Sequence, residues 1–381
     1  MRLPASFLPL LKKCGLLAVL VSAGAFAGQP APPPPARGRP SGPADPAATA
    51  GARQLHQRLL RLGARGTLFG HQDDPTAGVG WRNEPGRSDV FSTSGAYPAV
   101  YGWDLGNIER GKSYNFDGVP FALIRAGVIR AAAAGGINTI SWHCSNPITG
   151  GTAWDTTGRA VAQLLPGGAR HARFLQDLDS VARFLHALRD AQGRDIPLIF
   201  RPFHEHTGHW FWWGQPHCSA AEFKQLWRFT ADYLRRDKGL HNLLLAYSAA
   251  DFASAGHYLE RYPGDAYVDV LGFDTYCTAR PAQYAQQLNR QFAVVQALAQ
   301  RHGKLMALTE TGYNQLPAPN WWTETLLPVL RKYRPSYVLL WRNGAPERYN
   351  VPFPGQASAP DFVRFKNSPR ILFSDKAAAI R

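Results

Sequence analysis

Residues Ile196–Gly214 read IPLIFRPFHEHTGHWFWWG. The first five residues are an apolar run of the kind that forms a strand buried on both faces. The rest is a loop dense in histidine, glutamate and tryptophan. A strand over Ile196 to Glu205 whose last residues are His204 and Glu205 fits a parallel barrel, because the side chains at the C-terminal strand ends of such a barrel form its site.

The same pattern recurs on both sides of this stretch. Short apolar runs occur at Thr67 to His71, Pro98 to Asp104, Ile137 to His143, Leu243 to Ser248, Val268 to Tyr276, Leu305 to Glu310 and Ser336 to Trp341, with helical spacing between them. Eight strands alternating with helices predict an α/β protein, a (β/α)8 TIM barrel. Chargeable or aromatic residues close these runs: His71, Asp104, His143, Asp274 with Tyr276, Glu310, and Trp341 with Arg342. Between the strands, Ser219 to Glu222 has the form of a capping box, and Pro281 opens a segment with Tyr284, Leu288, Phe292, Val295 and Leu298 at helical spacing. An open doubly wound sheet is disfavoured, since no glycine-rich phosphate loop follows the first strand.

With 381 residues, 45% of them hydrophobic, the chain can fill one barrel-sized core. Arg2, Lys12 and Lys13 precede an apolar run from Leu16 to Val21, and Ala25 to Ala27 offers a small-residue cleavage site, so residues 1–27 read as an export signal cleaved near Ala27. The run is far shorter than the roughly 20 residues of a spanning helix, which argues against stable membrane insertion. Residues 28–48 are proline-rich and read as a linker, leaving 49–381 as the barrel domain of a secreted or periplasmic protein. Cleavage removes three positive charges and lowers the formal charge of +15 to +12. Scattered arginines without a nucleic-acid motif speak against a nucleic-acid partner. Cys144, Cys218 and Cys277 remain, enough for at most one internal disulfide, whose pairing the sequence leaves open.

Glu205 beside Trp210, Trp212 and Trp213 is a carboxyl in partly apolar surroundings, which raises its pKa toward that of a useful general acid. Glu310 closes another strand, and two such carboxylates are the machinery of glycoside hydrolysis. A separation of about 5–5.5 Å would mean retention and about 6.5–9.5 Å inversion. A zinc site is disfavoured: the residue four after His204 is Gly208, so the helical His-Glu-x-x-His pattern fails, and no metal or other cofactor is expected. Trp210 is read as a platform for a sugar ring, while one of Trp212 and Trp213 is expected to pack beneath the loop.

These residues resemble glycoside hydrolase family 26, a β-mannanase family of clan A. The resemblance rests on GHQ at Gly70 to Gln72, YGWDLG at Tyr101 to Gly106, SWH at Ser141 to His143, RPFHE with WFWWG across Arg201 to Gly214, GFDTY at Gly272 to Tyr276, TETG at Thr309 to Gly312 and WRN at Trp341 to Asn343. It implies Glu205 as acid/base, Glu310 as nucleophile and Arg201 as the cation that holds the nucleophile. It implies further that His143, His204, Trp210, Tyr276, Trp341 and Arg342 line the sugar subsites. His71, Asp104, Trp154 and Asp274 carry over more weakly, a structural hydrogen-bonding role being open for each. The implied substrate is β-1,4-mannan, glucomannan or galactomannan. Mixed-linkage β-glucan, β-1,3-xylan and a non-catalytic glycan-binding role stand as alternatives.

Overall fold

The computed structural model describes residues 42–84, 86–278 and 280–380. The expected export signal and most of the expected linker lie outside them. Eight parallel strands close on themselves: β1 (Thr67–Gln72), β2 (Val100–Asp104), β3 (Ile137–Trp142), β4 (Leu198–Pro202), β5 (Leu243–Ala249), β6 (Val270–Asp274), β7 (Leu305–Thr311) and β8 (Tyr337–Leu340). Each pairs with the next, and β8 returns to β1 through Leu68 to Tyr337 and His71 to Leu340. The molecule is a (β/α)8 barrel, as the alternation of runs predicts.

Side chains alternate along the strands between two cores. Leu68, Val100, Ile199, Leu244, Ala246, Val270, Ala307 and Leu339 fill the barrel. Phe69, Trp103, Ile140, Phe200, Tyr247, Phe273 and Leu308 face the surrounding helices. The period of two then carries the inward face up to Asp104, Arg201, Ser248 and Asp274 at the C-terminal ends, so strand geometry alone converges these polar groups.

Helix α1 (Ala50–Arg65) precedes the first strand and buries Leu55, Leu59 and Leu62 in the same cluster as the barrel interior, closing its N-terminal end. Its neighbour segment corrects the linker boundary. The Ala44 amide donates to Asp269 at 2.5 Å and the Asp45 carboxylate meets the His241 ring at 2.8 Å, so the last residues assigned to the linker are bound to the barrel. The outer layer includes α2 (Phe121–Ala133), α3 (His171–His186), α4 (Ala220–Asp232) and α5 (Pro281–His302). Helix α4 opens with the reciprocal Ser219 and Glu222 capping bonds, and α5 starts at Pro281 and stops at Gly303 in the left-handed region. No described helix is long and apolar enough to cross a membrane. Cys144, Cys218 and Cys277 are all free and buried.

Two departures from regular strand geometry shape the site. The strand expected to run to Glu205 ends at Pro202, and Phe203 and Glu205 take φ of 46° and 54°, so Glu205 sits on a tight turn. In β7, Phe273 pairs with Leu308 but Asp274 pairs with Glu310, which makes Thr309 an extra residue. A bulge of this kind re-aims a side chain, and here consecutive Thr309 and Glu310 both reach groups of the site. The room comes from Gly272, where a Cβ would lie 2.5 Å from the Thr309 methyl.

Candidate active site

Four strand ends supply the centre. Arg201, at the end of β4, is nearly fully buried and donates through Nη1 to Asp274 at 2.9 Å and to Ser248 at 3.1 Å. Its Nη2 donates to Glu310. Burial opposes the charge on Arg201, but Asp274 and Glu310 outweigh it and raise the guanidinium pKa. Asp274 also accepts from Thr309 at 2.6 Å and Ser248 at 3.2 Å. Burial pushes it up to about 7, against the pull of Arg201. The second Glu310 oxygen accepts from the Tyr276 hydroxyl at 2.7 Å. Glu310 is therefore oriented by a cation and a phenol, both aimed at its carboxylate.

Glu205 has different surroundings. Trp210 donates its indole N–H to Oε2 at 2.6 Å, and the Glu205 amide donates to the Ser248 carbonyl at 2.9 Å. Burial first, and then the nearby charges of Asp274 and Glu310, push the Glu205 carboxyl well above the usual range. One carboxyl is thus favoured in its protonated form while the other is bonded as an acceptor, the division of labour that acid/base and nucleophile require. Glu205, Asp274 and Glu310 each bring an oxygen within 4.8 Å of the others. A cation could be held here only by displacing Arg201, which already ion-pairs with two of the three.

A wall of rings flanks the carboxylates. His143 bonds Asp104 at 2.7 Å through Nδ1 and His204 at 3.1 Å through Nε2. Trp154 stacks on His143 with centroids 5.2 Å apart and planes 15° apart, and is 44% exposed. Phe116 and Phe211 complete the cluster, at 4.4 Å and 5.4 Å from His143, and Trp341 stands 6.1 Å away. A tryptophan face left open to solvent above a buried ring pair suits an apolar sugar face. Trp154, a weaker carry-over in the sequence, is the most open aromatic of this cluster, while the sequence marks neither Phe116, which stands apart from any motif, nor Phe211, which sits among three tryptophans.

Arg342 is buried and clamped, its Nε 3.3 Å from Asp73 and its Nη1 2.6 Å from Asp117. Burial raises both carboxyls, Asp73 to about 7. Its Nη2 is buried and has no hydrogen-bond partner among the described residues. Neither acidic partner was legible in the sequence. His71 turns to Asp74 at 2.8 Å. The tryptophans also need correcting: Trp210 is half-buried against Glu205, but Trp212 and Trp213 are both fully buried, donating to the carbonyls of Cys144 and His204 at 2.8 Å each. Both pack beneath the loop rather than one. The remaining histidines of the run diverge, His206 lying between Phe223 and Tyr247 and His209 beside Trp210.

The family model for glycosyl hydrolase family 26 matches residues 44–335. A mannan endo-1,4-beta-mannosidase of Bifidobacterium adolescentis is 38% identical over 275 residues, 70% of this chain and 27% of that protein. One of Thermothelomyces thermophilus is 30% identical over 72% of this chain and 53% of its own length. The chain therefore spans about a quarter and about half of these two relatives. A GH26 beta-mannanase structure from Bacteroides ovatus superposes with TM-score 0.82 at 49% identity, over 84% of this chain and 94% of that one. A modular endo-beta-1,4-mannanase from Cellulomonas fimi gives 0.81 at 36% identity, over 89% and 79%. With the barrel and the strand-end carboxylates in place, the match over residues 44–335 identifies this chain as a member of glycosyl hydrolase family 26.

Proposed function

We propose that the chain is a retaining mannan endo-1,4-β-mannosidase. The observation that carries this is the carboxylate pair. One oxygen each of Glu205 and Glu310 lies within 4.8 Å of the other, which fits the closely spaced pair, roughly 5–5.5 Å apart, of retaining enzymes. In the first step Glu310 attacks the anomeric carbon while Glu205 gives its proton to the departing glycosidic oxygen. In the second, Glu205, now ionised, takes a proton from water, and the resulting hydroxide displaces Glu310.

The surroundings serve both steps. Trp210 occupies Glu205 Oε2, which leaves Oε1 to carry the proton. Arg201 and Tyr276 share the charge of Glu310 before it attacks and receive it again when the glycosyl bond breaks. No cofactor enters. Mannan is favoured as the substrate because the relatives and structural neighbours are named for it. Export with cleavage near Ala27 belongs to the same proposal, since a polymer of this size is met outside the cell.

The test is reducing-sugar release from mannan, galactomannan, lichenan and β-1,3-xylan by the purified chain, beside Glu205→Ala and Glu310→Ala. Cleavage of the mannans that both substitutions abolish is expected. Activity confined to lichenan or xylan would overturn the substrate, and binding without cleavage would overturn the enzyme.

A further inference from the structure

We propose that Asp104 is a positioning residue that sets the tautomers of His143 and His204 through a relay across three consecutive strand ends, and so fixes the ring wall beside Glu205. The inference rests on the proposed glycosidase function.

Every contact to the Asp104 carboxylate is a donor. Gly106 N–H reaches Oδ1 at 2.6 Å, and Ser141 O–H and the His143 amide reach Oδ2 at 2.7 Å and 3.3 Å. The carboxylate therefore takes the His143 proton on Nδ1, at 2.7 Å. A neutral His143 then presents a lone pair at Nε2. The two Nε2 atoms are 3.1 Å apart, and one proton must lie between them, because two N–H groups would clash and two lone pairs would repel. That proton belongs to His204, whose Nε2 is the donor and whose buried Nδ1, without a partner among the described residues, is unprotonated.

The surroundings of His204 favour its neutral form. Burial, Arg201, His143 and His206 all disfavour a charge on His204. Asp117 is the further acid that interacts with His143. The relay also has a mechanical consequence, since Trp154 stacks on the His143 ring and Phe211 sits 5.3 Å from His204. Fixing two ring planes from one carboxylate fixes the platform above them.

Asp104→Asn tests the relay without changing its shape. Of the two backbone donors the Gly106 amide is much the closer, at 2.6 Å against 3.3 Å for that of His143, so the new carbonyl oxygen stays on Gly106 and the NH2 faces the His143 ring. Nδ1 must then accept, the His143 proton moves to Nε2, and His204 must carry its own on Nδ1. Long-range proton–nitrogen NMR on protein labelled with 15N-histidine reads each tautomer, with His143→Asn and His204→Asn spectra for assignment. The inference requires Nδ1–H at His143 and Nε2–H at His204 in the parent chain, and both inverted in Asp104→Asn. It also requires kcat/KM on mannan to fall roughly tenfold or more, with a changed pH profile and little change in Tm. Identical tautomers in the two proteins, or inversion with kcat/KM and its pH profile unchanged, would overturn it. If the parent chain cleaves no polysaccharide, the function fails while the spectra still decide the relay.

Discussion

Glu205 carries a cost that its neighbours explain. Its folded pKa is raised, so above the ordinary carboxyl pKa the unfolded chain releases a proton that the folded chain retains, and stability falls as pH rises through that window. Glu205→Gln removes the titration. Its Tm should exceed that of the parent by about 2 °C or more at pH 7, with the gap closing below about pH 4, while activity is lost. A thermal melt series across pH checks this, and a constant gap would assign the difference to packing. At Glu310 the partner is a phenol: Tyr276→Phe deletes one bond to a charged acceptor and should lower kcat about tenfold to a hundredfold, with KM moving less. Trp154→Ala should do the reverse, raising KM on oligosaccharides several-fold with kcat near the parent value, since the ring touches no carboxylate of the centre. The two glutamates were legible as a pair of carboxylates closing apolar strands, and Arg201 only through the family resemblance. Asp73 and Asp117 were not, because their role depends on Arg342 reaching across from another strand.

At the scale of the element, β7 and the turn after β4 do most to build the site. Thr309 bulges out of register so that it holds Asp274 while Glu310 meets Arg201. Gly272→Ala would press a methyl into Thr309 and is expected to cost roughly 1–3 kcal/mol and to lower kcat, because the displaced residue adjoins the nucleophile. Denaturant unfolding and kinetics on one preparation read both, and unchanged values in both would show that the bulge is tolerant. Strand positions could be read from apolar runs to within a few residues. The bulge could not, since LMALTET over Leu305 to Thr311 reads equally well as regular strand. The turn was hidden for a related reason: the apolar signal of Pro197 to Phe200 flows into Pro202 and Phe203 without a glycine to mark where φ changes sign.

Across the whole molecule, the barrel separates a polar, catalytic end from an apolar end closed by α1. The closure was invisible in the strand pattern, as a helix before the first strand can equally well be a solvated arm. Leu55, Leu59 and Leu62 show that it shares the barrel core, and Asp45 with His241 ties its leading segment down. That division leaves the carboxylate pair as the central claim, and the anomeric form of the first product tests it most directly. With a soluble manno-oligosaccharide followed by proton NMR from the first seconds, double displacement through Glu310 predicts that the new reducing end appears as the β-anomer and only then mutarotates. An α-anomer appearing first would contradict it, because it would mean that water, and not Glu310, attacks the anomeric carbon.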